Sequence, residues 1–295
     1  MYTLNILKDS TAVMYEKMTF PAFQYVLQEI NSKESLIAIA ASYQEEPVGL
    51  VLAEIRTYNQ SAEVLSLFVE PSHRCAGIGT NLLNRLETEL TYRRCKKVEL
   101  VYMTGKSTTP ALENLLHKCG WTSPQPRMLV CKGEMEKGIQ APWLKQYSQL
   151  PAAYTIFPWR EITTQERQAI ERQQATQPWI PEDLIPFKYD KQIEPLNSLG
   201  LRYQGQVVGW LISHRIFPDT IRYTCAFCRP DIQKKGRMIT LFYEAAKLQL
   251  NAKIPHFIWT TPMNHQSMVA FVKYRCLPYL TSIQETRIIS KLLLG

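Results

Sequence analysis

Two apolar runs, "SLIAIAASY" (residues 35–43) and "PVGLVLAEIRTY" (47–58), alternate along the chain like a pair of neighbouring strands. "EVLSLFVEP" (63–71) reads as a third strand, closed by Pro71. The period then changes, because Leu82, Leu83, Leu86 and Leu90 recur at helical spacing. A fourth strand, "KVELVYM" (97–103), precedes a second helix, "TPALENLLHKCGW" (109–121), which should stop at Gly120. "RMLVCKGEM" (127–135) closes the series as a strand, and residues 11–30 ahead of it read as helical.

The same order returns. "LRYQGQVVGWLISHRI" repeats the paired strands, with Gly209 standing for Gly49, and "TIRYTCAFCRP" repeats the third strand, with Pro230 standing for Pro71. "DIQKKGRM" follows where "SHRCAGIG" stood, and Leu241, Phe242, Ala245 and Gln249 fall on Leu82, Leu83, Leu86 and Leu90. From Pro71 to Leu90 the offset is a constant 159 residues. "HFIWTTP" and "NHQSMVAFVKYRC" supply the last strand and helix. The pattern predicts an α+β class, a mixed central sheet flanked by helices, built twice in tandem. The expected division is a first domain over 1–140, a polar, Pro-containing linker over 141–153 and a second domain over 154–295.

Composition agrees with two packed domains. A chain of 295 residues with 45% hydrophobic and 20% charged residues can bury a core in each half. No apolar stretch approaches the roughly 20 residues of a membrane span, and the N-terminus has neither a basic n-region nor a long apolar h-region. A soluble, cytoplasmic protein is expected. The seven cysteines are irregularly placed and odd in number, which suits buried thiols better than a disulfide framework. Cys225 and Cys228 are half of a metal knuckle, but residues three apart on a strand face opposite ways and no second pair follows, so no metal site is expected. The net charge of +8 suits an anionic ligand. The one dense basic cluster, "YRRCKK" (92–97), lies where a helix ends and reads as a cap. Scattered charge without an aromatic–basic stripe argues against nucleic acid.

Candidate chemistry concentrates at "VEPSHRCAGIG" (69–79), where a strand hands over to a helix. The first amides of a helix have no intrahelical acceptor and lie at its positive dipole end, so they form an anion site. Gly77 and Gly79 permit positive φ and close approach of a ligand to the main chain, and Arg74 can add a charge-assisted bond to phosphate. The plainer alternative is a loop whose glycines serve the turn alone. Neither G-x-x-x-x-G-K-[ST] nor G-x-G-x-x-G is present, so a P-loop or a dinucleotide fold is not supported.

Val69-x-Pro71-x-x-Arg74-x-x-Gly77-Ile78-Gly79, followed by Leu82 and Leu83, resembles the acetyl-coenzyme A signature of the GNAT superfamily of N-acyltransferases. The order of elements over nearly all of residues 1–135 is also similar to that fold. The resemblance implies acetyl-CoA as the cofactor, with the pyrophosphate against Arg74, Cys75, Ala76, Gly77, Ile78, Gly79 and Thr80. It also implies that the main chain at Phe68 and Val69 bonds the pantetheine arm like an added strand. The second copy is a degenerate member: Gln233 and Gly236 fit, but Met238 stands for Gly79, and Lys234 and Lys235 add bulk. This half is expected to bind coenzyme A poorly or not at all and to help shape the acceptor pocket.

Transfer to an amine requires the neutral form of a group whose pKa is about 10.4, so a base is useful. The resemblance points to Glu63 as that base, with Glu54 as a weaker alternative and a solvated strand-end carboxylate as the plain reading. In the family a helix Tyr commonly protonates the departing thiolate; the corresponding positions here are Leu116 and Phe271, which cannot. His117 and Tyr102 are candidate substitutes. "QPWIPEDLIPF" (177–187), with Glu182 and Asp183, reads either as part of an acceptor site or as a stiff surface loop. Two functions follow: an N-acetyltransferase acting on a small-molecule or peptide amine, or a non-catalytic acyl-CoA-binding or regulatory protein.

Overall fold

A computed structural model describes residues 1–293 apart from Asp9, Tyr147, Ser148 and Lys234. Along the first half run β1 (Tyr2–Ile6), α1 (Gln24–Gln28), β2 (Leu36–Tyr43), β3 (Glu46–Arg56), β4 (Ser61–Val69), α2 (Ile78–Tyr92), β5 (Lys97–Met103) and α3 (Thr109–Lys118). Next come β6 (Gln125–Glu134), the short helices α4 (Met135–Gly138) and α5 (Pro142–Lys145), β7 (Tyr154–Pro158) and α6 (Thr164–Thr176). The second half continues with β8 (Leu199–Tyr203), β9 (Gln206–Phe217), β10 (Thr220–Cys228), α7 (Arg237–Asn251), β11 (His256–Pro262), α8 (Gln266–Phe271) and β12 (Ser282–Leu292). Among the described residues no helix is long and apolar enough to cross a membrane.

The chain forms two compact units, but not as the linear division expected. One comprises Met1–Arg127 with Glu285–Gly295, the other Met128–Gln284. In the first unit β5 pairs antiparallel with β12, Thr286 to Leu292 against Met103 to Lys97. In the second, β11 pairs antiparallel with β6, His256 to Pro262 against Glu134 to Met128. The strand that follows each copy in sequence therefore completes the sheet of the other copy. Alternation along β6 and β12 fixes which side chains face a core; it carries no information about which edge the strand joins. The expected linker over 141–153 includes the short helix α5, with Leu144 buried, and its residues 147 and 148 lie outside the described residues.

Within each unit the repeat is kept down to single residues. β4 carries an extra residue, Leu65, between the pairs Ala53–Val64 and Leu52–Ser66. β10 carries one at Thr224, between Ser213–Tyr223 and Ile212–Cys225. Leu65 and Thr224 stand at the same 159-residue offset, so a bend in the strand has been retained in both copies. Gly49 pairs with Val69 and Gly209 with Cys228, as their sequence match requires. α2 and α7 are each 15 residues long. The leucines of α2 are buried against the sheet with Val98, Leu100 and Leu116; losing such a side chain to Ala costs about 2–5 kcal/mol.

Residues 11–30 are not one helix. A 3₁₀ helix runs Ser10–Met18, and α1 starts only at Gln24. Pro21 explains the break, since it forces Phe20 into an extended conformation at ψ 146° and offers no N–H to continue a helix. The segment 177–187 lies against an aromatic core: Trp179, Leu184, Ile185 and Phe187 pack on a cluster built from Trp159, Trp210 and Phe227. The Trp210 indole donates to Leu184 O at 3.0 Å, and Glu182 pairs with Lys188.

Candidate active site

The first unit opens where β4 leaves β5. Their parallel ladder covers only Ser61 to Val64 against Lys97 to Leu100. Beyond the Leu65 bulge, β4 continues to Val69 and β5 to Met103 without pairing to each other. A wedge with exposed strand edges results, and such edges accept an extended ligand as an added strand. Phe68 and Val69 lie on this stretch of β4.

The wedge ends at the strand-to-helix corner. A 3₁₀ turn, Pro71–His73, leads into Arg74 and then Cys75, which adopts positive φ (61°). Gly77, at φ 79°, is the N-cap of α2 and makes no side-chain cap. The first intrahelical bond runs from Asn81 N to Gly77 O at 3.0 Å, so the amides of Ile78, Gly79 and Thr80 have no acceptor among the described residues. A Cβ built on Gly77 would meet nothing within 4 Å, so the space before these amides is open. An anionic group fits here. A Cβ on Gly79, by contrast, would come 3.0 Å from Leu115 Cδ2, so that glycine makes room for α3.

Arg74 has a role the sequence did not suggest. Its Nε donates to Val69 O at 2.9 Å, bracing the corner against the end of β4. Its terminal guanidinium nitrogens remain for an anion. In the second unit Gln233 does the same with Cys228 O at 2.8 Å, and Gly236 caps α7 at φ 74°. Arg and Gln are thus interchangeable as braces. Lys234 lies outside the described residues; Met238 packs against the second unit's core.

Glu63 lies on a cross-strand rung. It pairs with Glu54 of β3 and with Glu99 of β5. Arg56 donates to the Glu63 carboxylate and approaches Glu99, and Lys97 pairs with Glu99 at 2.6 Å. Three carboxylates in a row are thereby held beside two cations. The resemblance points to Glu63, with Glu54 as the alternative, and not to Arg56, Lys97 and Glu99, which only strand register brings alongside.

No hydroxyl occupies the helix position of the family's proton donor, because Leu116 is fully buried in the core and His117 is exposed. Tyr102 is better placed. It sits on the stretch of β5 that has parted from β4, and its hydroxyl donates to Glu113 Oε1 at 2.6 Å. Arg287 Nη1 donates to the same oxygen at 3.1 Å. Burial, and then the bond to Glu113, push the Tyr102 phenol above its ordinary value, so it keeps its proton. Arg287 arrives from the last strand, far from Tyr102 in sequence, and nothing local announces it.

The Cys225 and Cys228 thiols lie in separate core clusters of the second unit. Burial pushes both up to about 12, which keeps them protonated. Among the described residues no group of His, Cys, Asp or Glu is arranged to hold a metal.

Residues 4–121 match the model of the Acetyltransferase (GNAT) family. Over 100% of its length the chain superposes on a tandem GNAT protein from the clavulanic acid biosynthesis pathway, solved without AcCoA, covering 99% of that chain at a TM-score of 0.66 and 12% identity. It superposes equally fully on a GCN5-related N-acetyltransferase from Sphaerobacter thermophilus, covering 96% of it, with a TM-score of 0.67 and 14% identity. A glucosamine N-acetyltransferase region of a fungal multi-domain GH3 β-N-acetylglucosaminidase gives 0.67 and 13% identity, over 99% of this chain and 38% of that one. Among curated protein sequences no match reaches significance. The first copy is a GNAT domain, and the chain as a whole has the fold of tandem GNAT proteins.

Proposed function

We propose that the chain is an acetyl-CoA-dependent N-acyltransferase, acting in the cytoplasm, whose first unit carries the cofactor and whose acceptor is a primary amine of a small molecule or peptide. The observation that carries this reading is the Gly77 corner: a left-handed N-cap with unpaired helix amides and open space, at the end of a strand that has parted from its parallel neighbour. Residues 74–80 would hold the pyrophosphate, and the β4 edge at Phe68 and Val69 would bond the pantetheine arm. When bound, the cofactor would supply an acetyl thioester, a carbonyl activated towards amines.

Glu63 would take a proton from the ammonium form of the acceptor, freeing the neutral amine that attacks the thioester carbonyl, with Arg56 fixing the carboxylate. Tyr102, placed on the parted stretch of β5, would be the proton donor nearest to hand for the departing sulfur, working against the upward shift that burial and Glu113 impose on its phenol. A thiol is a tolerable leaving group at a pKa of about 8.5, so loss of the usual helix Tyr weakens transfer without forbidding it.

The second reading, a binding or regulatory protein without turnover, is favoured by Leu116 and Phe271 at the donor positions. Release of free thiol from acetyl-CoA over a broad amine panel separates the two. Amine-dependent release supports the transferase; tight binding with no release across the panel rejects it.

A further inference from the structure

The two copies differ as a set at three positions around the parted end of β5. In the first unit Tyr102 pairs across the sheet with Arg287 of β12, and in the second Thr261 pairs with Leu129 of β6. Thr261 stands for Tyr102 at the 159-residue offset, and the match of Leu116 with Phe271 puts Met268 where α3 carries Glu113. With Thr, Leu and Met at these places the second copy still keeps its strand bulge, its brace and its left-handed N-cap. The fold therefore does not call for a tyrosine, an arginine and a carboxylate there.

In the first unit the three side chains meet. Glu113 Oε1 accepts from the Tyr102 hydroxyl at 2.6 Å and from Arg287 Nη1 at 3.1 Å. Arg287 Nε donates to Glu285 Oε1 at 2.8 Å, two residues back on the same strand, which fixes the plane of the guanidinium. The Thr104 N–H and hydroxyl both donate to Glu285 O, at 2.8 and 2.9 Å, and tie this part of β12 to the end of β5. Glu113 from α3, with Arg287 and its partner Glu285 from β12, are the charged groups ranged about the phenol.

A proton leaving Tyr102 would create a phenolate in contact with the Glu113 carboxylate. Like charges that share a site oppose ionisation, and a guanidinium bonded to the same oxygen offsets that opposition. Burial and Glu113 raise the phenol above its ordinary value, and Arg287 pulls it back.

We infer that Arg287 is the positioning residue of the first unit's proton donor: through the Glu113 oxygen that it shares with Tyr102, it orients the phenol and balances the charge formed when the proton leaves. The inference rests on the transferase reading. In that reaction the C–N bond forms, the C–S bond breaks, and Tyr102 gives its proton to the sulfur, which keeps the electron pair. The nitrogen sheds two protons on its way from ammonium to amide, the first by way of Glu63. One of the two makes good the proton lost by Tyr102, through solvent, and the other is released. Arg287 touches neither sulfur nor amine; it acts through Tyr102.

Kinetics of the full-length chain with an amine found active test this. Arg287→Met should lower kcat about tenfold or more, with the amine KM and the coenzyme A Kd held within about threefold. In a Tyr102→Phe or a Glu113→Gln background the same change should cost less than about threefold, because the donor or the opposing charge has gone. A full cost in either background makes Arg287 a structural residue and overturns the proposal. If Arg287→Met does not fold, Arg287→Gln, which keeps a donor without the charge, replaces it in every arm. A readout apart from turnover comes from 3,5-difluorotyrosine at position 102, whose lower pKa brings its titration within reach of a folded chain. Arg287→Met should move the fluorine-resonance midpoint up by at least about half a pH unit, and Glu113→Gln should move it down. A parent that releases thiol with no amine fails the transferase reading, and the titration then judges Arg287 alone. A midpoint unmoved by Arg287→Met overturns the proposal, with or without turnover.

Discussion

Arg74 and Val69 are joined across the corner they frame: the arginine Nε–H donates to the valine carbonyl, five residues back, at 2.9 Å. Gln233 and Cys228 repeat the bond at 2.8 Å. The first motif position is therefore a brace, and any charge it lends to phosphate comes from the nitrogens left over. Arg74→Gln should keep the brace, raising the coenzyme A Kd less than tenfold. Arg74→Ala should raise it further and also lower stability by about 1 kcal/mol, the worth of one hydrogen bond. Paired titration and melting of the two variants checks this.

Tyr102 is expected to act on turnover alone. Tyr102→Phe removes the hydroxyl bonded to Glu113 and leaves the ring in place. The coenzyme A Kd should stay within about twofold, while kcat falls by about 10²–10⁴, the usual worth of a positioned acid. Steady-state kinetics with any amine found active separates the two effects.

Glu63→Gln should lower kcat/KM for amines by about 10² or more at neutral pH. The deficit should shrink as pH rises towards the amine pKa, because the free base then forms without help. A deficit that is flat with pH would mean Glu63 only anchors Arg56.

Glu166 gives a pH signature in the second unit. It closes a capping box with Thr163 at the start of α6 and receives two bonds from Arg202, at 2.6 and 3.1 Å. Arg202 first, then the Thr163 bonds, lower its pKa from 4.5 to about 2 against the opposing effect of burial. The folded value lies below the unfolded one, so this stabilisation is complete above about pH 4.5 and is lost as pH falls towards 2. Glu166→Gln should cost about 2–3 kcal/mol at pH 7 and flatten the stability profile between pH 5 and 2. Urea unfolding across that range reads both.

The repeat was legible because local signals carried it. Pro71 and Pro230, Gly77 and Gly236, and the spaced apolar residues of α2 and α7 each report on their own neighbourhood, and neighbourhood is what a sequence displays. The exchange of β6 and β12 was hidden because an amphipathic strand declares its faces and not its neighbour. The broken helix over 11–30 was foreseeable from Pro21. Arg56 beside Glu63, and Arg287 beside Tyr102 and Glu113, depend on register and on strand exchange, so no spacing rule reaches them.

The central claim is that the amides behind Gly77 receive the diphosphate of coenzyme A. Calorimetric titration of the cofactor into the full-length chain, Gly77→Glu and Met238→Glu measures this most directly. The account predicts saturable binding by the parent, at least a hundredfold loss in Gly77→Glu, and little change in Met238→Glu. Binding that survives a carboxylate at position 77 and disappears with one at position 238 would contradict it.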